Sequence, residues 1–212
     1  MLKTGLFFIC SVICIQIFYA DAAKTKKRWA TVKYVVDGDT VVLCSGETVR
    51  YMGINAPEIA HEPGEHSEPF GRKALLENRR LVEGKRVRLE LGPEKQDRFG
   101  RTLAYIFLPN GAMVNEKLVR SGLAYVCAHS FNIPYFKRLL SAQKHAIHHS
   151  VGVWSIPAKR PERYYIANKR SLRFHRPSCP YGRHTRWRNR KIFPSREEAA
   201  RHGYCPCRKC SP

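Results

Sequence analysis

VVDGDTVVL (residues 35–43) followed by VRYMGINAPE (49–58) is the stretch on which the reading of this chain turns. Apolar, β-branched runs lie on either side of Asp37-Gly38-Asp39-Thr40. Asp-Gly between such runs is a strong hairpin signal. A further run carries Arg50 and ends in acid and amide groups at Asn55-Ala56-Pro57-Glu58. A third segment, DRFGR (97–101), again places charge at the entrance of an apolar run. Two arginines, a glutamate and an aspartate arriving from three strand ends make a phosphate and metal site the leading expectation. Taken alone, the Asp-Gly pair is a turn, and the charges are a surface ion-pair network.

Moving outward, alternating and β-branched patterns predict strands over 29–36, 41–43, 48–54, 85–91 and 103–108. Helical spacing covers 71–81, 114–121 and 135–149, with Gly84 and Gly122 just beyond the first two. Five strands with about three helices between them predict an α+β fold, mainly β, built on a five-stranded barrel of OB type. Such barrels are platforms for oligonucleotides. The 212 residues carry 38 Lys+Arg against 17 Asp+Glu, a formal net charge of +21. That excess favours a polyanionic partner, and its spread through both halves of the chain favours DNA or RNA over a membrane surface.

Four segments, DGDT (37–40), RYMGINAPE (50–58), DRFGRTLAY (97–105) and MVNEKLVRSGLA (113–124), occur in an order that resembles the staphylococcal nuclease (thermonuclease) family. The resemblance covers about residues 30–156. It implies hydrolysis of phosphodiester bonds in DNA or RNA. Arg50 and Arg101 would clamp the scissile phosphate, and Glu58 would orient or deprotonate water. A calcium ion would lie on Asp39, Asn55 and the carbonyl of Ala56. Arg98 and Phe99 would touch the nucleotide. Asn55 departs from the family, which usually has aspartate there, so weakened calcium binding is expected.

The N-terminus has the layout of a signal peptide over 1–22: Lys3, an apolar run, then Ala20-Asp21-Ala22. The run is short for a membrane span, which needs about 20 apolar residues. A secreted or periplasmic monomer is expected, with no stable membrane partner once the signal is cleaved. An uncleaved anchor is the lesser alternative.

After the barrel (23–156) and a Pro- and charge-rich linker (157–163), residues 164–212 change character. His175-x3-Cys179 and Cys207-x2-Cys210 have the spacing of a structural zinc site. A segment of about fifty residues needs such a staple to fold. The spare Cys205 is expected outside the zinc shell; Cys44 and Cys127 are expected as free, buried thiols, with a bond between the two as the alternative. The segment resembles the metal-binding domain of Ada DNA-alkylation repair proteins. In that family the first zinc cysteine accepts a methyl group. His175 stands at this position and cannot serve as that thiolate. A small α+β module then remains, whose Arg186, Trp187 and Arg188 suit a nucleic-acid strand. Two function classes follow. One is a secreted, calcium-dependent nuclease with a zinc module that aids binding. The other is a non-catalytic nucleic-acid-binding protein on a degenerate nuclease barrel.

Overall fold

The computed structural model describes residues 27–60, 62, 64–157 and 161–212. The signal-peptide expectation over 1–22 lies outside the described residues, as does part of the linker.

Five strands close a barrel: β1 (Lys27–Asp37), β2 (Thr40–Leu43), β3 (Thr48–Tyr51), β5 (Arg86–Gln96) and β6 (Thr102–Phe107), in the order β1-β2-β3-β6-β5. All pairings are antiparallel except β3 with β6. The barrel is filled by Val32, Leu43, Val49, Tyr51, Leu89 and Ile106, each almost fully buried.

The expected strand over 48–54 is broken. Gly53 takes a left-handed φ of 74° and turns the chain out of the barrel. Ile54–Asn55 (β4) then pairs with Tyr125–Val126 (β7) in a separate two-stranded ladder. That turn swings Asn55 through Glu58 across the barrel mouth.

Three helices support this mouth: α1 (Gly71–Val82), α2 (Val114–Arg120) and α3 (Phe136–His148). On α1, Asn78 is fully buried. It accepts from the Tyr51 hydroxyl at 2.9 Å and donates to the Asp37 carbonyl at 3.0 Å, fixing the turn between β1 and β2. Gly38 is required in that turn, because a Cβ there would lie 2.5 Å from the Cβ of Ala56 and 2.7 Å from that of Ala74. On α2, Asn115 receives the Ile106 N–H and donates to the Met52 carbonyl, both at 2.9 Å. Buried amides thus tie α1 and α2 to the strand ends near the charged residues.

The C-terminal module is a four-stranded sheet, β10-β8-β9-β11. Its strands are β8 (Tyr165–Asn168), β9 (Arg173–His175), β10 (Arg190–Phe193) and β11 (Cys205–Pro206). Two short helices, α4 (Pro180–Arg183) and α5 (Arg196–Arg201), complete it, and Ser195 caps α5 by accepting the Glu198 N–H at 3.0 Å. Its small core gathers Tyr165, Leu172, Phe174, Phe193 and Tyr204.

The module is docked firmly on the barrel. Ala200 of α5 joins one apolar cluster with Ala146, Ile147, Val153 and Trp154. The buried Gln143 of α3 accepts the Val126 N–H and donates to the Ala200 carbonyl, both at 2.7 Å. A Cβ on Gly203 would come within 2.6 Å of the Phe136 ring. Cys127 and Cys205 form a disulfide across the junction. The expected free thiol at Cys127 is therefore corrected. Cys44 is free, but exposed rather than buried. No spacing rule relates cysteines separated by 78 residues, since only the packing of β7 beside β11 brings them together.

Candidate active site and metal centre

Asp39, at the start of β2, is almost completely buried. One of its oxygens accepts the Ala56 N–H at 2.6 Å. The other pairs with the Arg50 guanidinium and receives the Thr40 hydroxyl at 3.2 Å. Asp37 holds the turn from below, its carboxylate accepting the Asp39 N–H at 2.8 Å. Arg50, on β3, also donates to Asn55 Oδ1 at 2.9 Å. Burial pushes the Arg50 guanidinium down to about 10; Asp37 and Glu58 oppose this, while Arg101 and Arg208 add to it. Arg50 is still a cation at neutral pH, and each of the other four groups lies close enough for its charge to act on Arg50.

Arg101, at the entrance of β6, is held by Asp97 through two contacts of 2.8 and 2.7 Å. Asp97 also accepts the N–H groups of Phe99 and Arg101, closing the turn. Burial raises the Asp97 carboxyl, but the Arg101 side chain and these N–H groups outweigh it and hold the group below its usual range. Phe99 is largely exposed, with the Arg98 and Arg101 guanidiniums 4.7 and 5.4 Å from its ring centre. Glu58 is fixed through its backbone, whose N–H donates to Glu68 at 3.0 Å, while its carboxylate faces outward.

One residue here was not anticipated. Arg208, in the turn between Cys207 and Cys210, reaches across the junction. Its Nη2 lies 2.5 Å from Asn55 Oδ1 and 2.5 Å from Glu58 Oε1. In sequence it is merely a basic residue between two metal-ligand candidates; nothing in its spacing announces a partner 153 positions away. Beside it, a cleft of about 250 Å³ opens between barrel and module, lined by Phe70, Tyr125, Arg176, Arg196 and Arg208 among others.

The zinc expectation fits well. His175, Cys179, Cys207 and Cys210 bring their ligand atoms within 4.8 Å of one another, and Cys205 is outside the group. Burial pushes the Cys210 thiol up to about 12. A set of one imidazole and three sulfurs, buried except for the half-buried Cys210, suits tetrahedral zinc, which would draw the protons off these thiols.

The calcium expectation fits poorly. Asp39 is the single carboxylate among the three donors, and both of its oxygens already receive N–H or O–H groups. Asn55 Oδ1 receives two guanidiniums, and the Ala56 carbonyl receives the Asn55 amide at 3.1 Å. Hard divalent cations need oxygen ligands with negative charge in excess, and here arginines surround them.

Arg186, Trp187 and Arg188 form an exposed turn on the module, Trp187 being 81% accessible.

Residues 48–156 match the family model described as staphylococcal nuclease homologue, and residues 158–212 match the metal binding domain of Ada. The chain is 36% identical to a thermonuclease of Staphylococcus hyicus over 57% of this chain and 72% of that protein. It is 32% identical to a thermonuclease of Staphylococcus intermedius over 72% of this chain and 97% of that protein. Endonuclease YncB of Bacillus subtilis is 32% identical over 59% and 61% of the two chains.

Proposed function

Because the chain belongs to the family of staphylococcal nuclease homologues, we propose that it is a secreted nuclease hydrolysing phosphodiester bonds of DNA or RNA at Arg50, Glu58 and Arg101. The observation that carries this reading is the convergence at one barrel mouth of these three residues, from three separate chain segments.

A phosphodiester resists attack because it is already anionic. Cleavage requires a placed nucleophile and cations where charge develops. Glu58 faces outward as a carboxylate and takes the proton from an attacking water. The water oxygen bonds to phosphorus while the bond to the leaving oxygen breaks. Arg50 and Arg101 hold the non-bridging oxygens through their planar, permanently charged forks. Asp97 keeps Arg101 oriented, and Asp39 does the same for Arg50.

The zinc module aids substrate binding in this reading. It lends Arg176, Arg196 and Arg208 to the cleft beside the site, where Tyr125 and Phe70 offer apolar walls for a nucleoside. Arg98 and Phe99 at the barrel, and Arg186, Trp187 and Arg188 on the module, present cations and rings that follow a strand without reading its sequence. Zinc on His175, Cys179, Cys207 and Cys210 is structural, closing the fold of the module. Calcium dependence, expected from the family, meets a poorly matched donor set at Asp39, Asn55 and Ala56 among the described residues. Export agrees with the disulfide between Cys127 and Cys205, a bond that persists in oxidising compartments.

The test is hydrolysis of labelled single-stranded DNA and RNA by the chain purified with zinc bound. Release of short fragments is expected. Retained binding with no release of fragments by the wild type would favour the non-catalytic alternative.

A further inference from the structure

The place expected to hold calcium is occupied by arginine charge, and one of these arginines comes from the other module. Relative to a pair of carboxylates, Asn55 gives up one negative charge, and Arg208 beside it adds one positive. The local balance moves two units against a divalent cation, whose affinity follows the charge of its ligands.

Arg208 is placed as a substrate-facing group. Its Nη2 bridges Asn55 and Glu58, and among the described residues nothing accepts from its Nε or Nη1. Its side chain is 58% accessible. A guanidinium with one nitrogen fixed by protein and two without a protein acceptor among the described residues is ready for a second acceptor, and the fork matches two phosphate oxygens. Its backbone is held in place. The Cys207 N–H donates to the Phe174 carbonyl at 3.0 Å, and the Ser211 N–H to the Cys207 carbonyl at 2.9 Å. The disulfide between Cys127 and Cys205, the Gln143 bridge and the contact of Gly203 on Phe136 fix the module to the barrel.

We propose that Arg208 is a third arginine of the phosphodiesterase site, delivered by the metal-binding module, and that its charge takes the place of a calcium ion. It binds a non-bridging oxygen of the scissile phosphate while its contact with Glu58 holds the carboxylate beside the attacking water. Cleavage then proceeds without calcium, and the metal-binding module is part of the active site. The inference rests on the nuclease reading above. Arginines supplied to phosphoryl groups from outside the main catalytic element can contribute about 10³-fold or more to kcat.

The test compares wild type, Arg208→Ala, Arg208→Lys and the double variant Asn55→Asp with Arg208→Ala. Each cleaves a single-stranded oligonucleotide in resin-treated, metal-depleted buffer and again with added calcium. Zinc content and circular dichroism confirm that each variant keeps its fold. The wild type should cleave equally in both buffers. Arg208→Ala should lose about 10²-fold or more in kcat, and Arg208→Lys should not restore it, because lysine lacks the fork. The double variant, with two carboxylates and one cation fewer, should regain rate only when calcium is added. A wild type active only with calcium, or an Arg208→Ala variant equally active or faster, overturns the proposal. The faster variant would mark Arg208 as a plug on Glu58. A folded wild type inactive in both buffers overturns the nuclease reading itself.

Discussion

In the proposed mechanism Glu58 and Arg50 divide the chemistry by environment. Arg50 is half-buried among opposite and like charges, whereas the more accessible Glu58 pairs with Arg208 and has its backbone pinned by Glu68. Glu58→Gln keeps size and hydrogen bonding and removes the base. It should lower kcat by about 10²- to 10⁴-fold and leave the melting temperature within a few degrees, as calorimetry would show. An unchanged kcat would remove Glu58 from the mechanism. At this scale the residues that meet at the barrel mouth were legible in part. Arg50, Glu58, Arg101 and Asp39 each sit in a motif, and a motif states which side chains share a strand end. Arg208 was not legible, because its partner lies in another module and its own neighbours explain its charge as part of a zinc turn. The departure at Asn55 was the one available hint, since a missing charge invites a compensating one.

Strand and helix positions followed from apolar periodicity, and five barrel strands with three helices stand where the pattern places them. The exception is 48–54, where period-2 patterning runs on through Gly53, but the backbone turns there and Ile54–Asn55 pairs elsewhere. Patterning reports which residues are buried and not which ladder buries them. Between elements, the barrel seam depends on β5. Glu90 is buried there, accepting from the Tyr135 hydroxyl at 2.5 Å and pairing with Arg88 and Lys27. Burial raises its carboxyl, but the Tyr135 and Arg88 bonds and the charges of Arg88 and Lys27 outweigh it and hold it below the ordinary 4.5. Glu47, bonded to Thr102 and Arg28, is held low in the same way. A carboxylate with a depressed folded value stabilises the fold above its ordinary value and loses that contribution as pH falls through the folded one. The melting temperature should therefore be flat near neutrality and fall below about pH 4.5. Glu90→Gln should lower stability at pH 7 by about 1–3 kcal/mol and flatten the acid limb. Parallel acid limbs in wild type and variant would show that Glu90 is not the titrating group.

The described residues form a barrel and a metal-binding module that share an apolar cluster, a disulfide and one rim of the proposed site. Cys127 and Cys205 were individually visible in sequence and not visible as a pair, because tertiary docking alone sets their distance. Removing zinc should melt the module, releasing about one ion per chain, and the loss should spread to catalysis because the cleft and Arg208 depend on the docked module. Chelator titration followed by circular dichroism and cleavage rate should show both changes at the same midpoint. Loss of zinc with undiminished cleavage would separate the module from the site. The central claim is that arginine forks at one barrel mouth carry phosphodiester hydrolysis. Its most direct test is single-turnover cleavage of single-stranded DNA by Arg50→Lys with Arg101→Lys, compared with wild type at saturating protein. Both positive charges remain, so binding should persist while the rate falls by about 10³-fold or more, because lysine cannot present two parallel donors to the transferring phosphoryl group. A double lysine variant that cleaves at the wild-type rate would contradict the account.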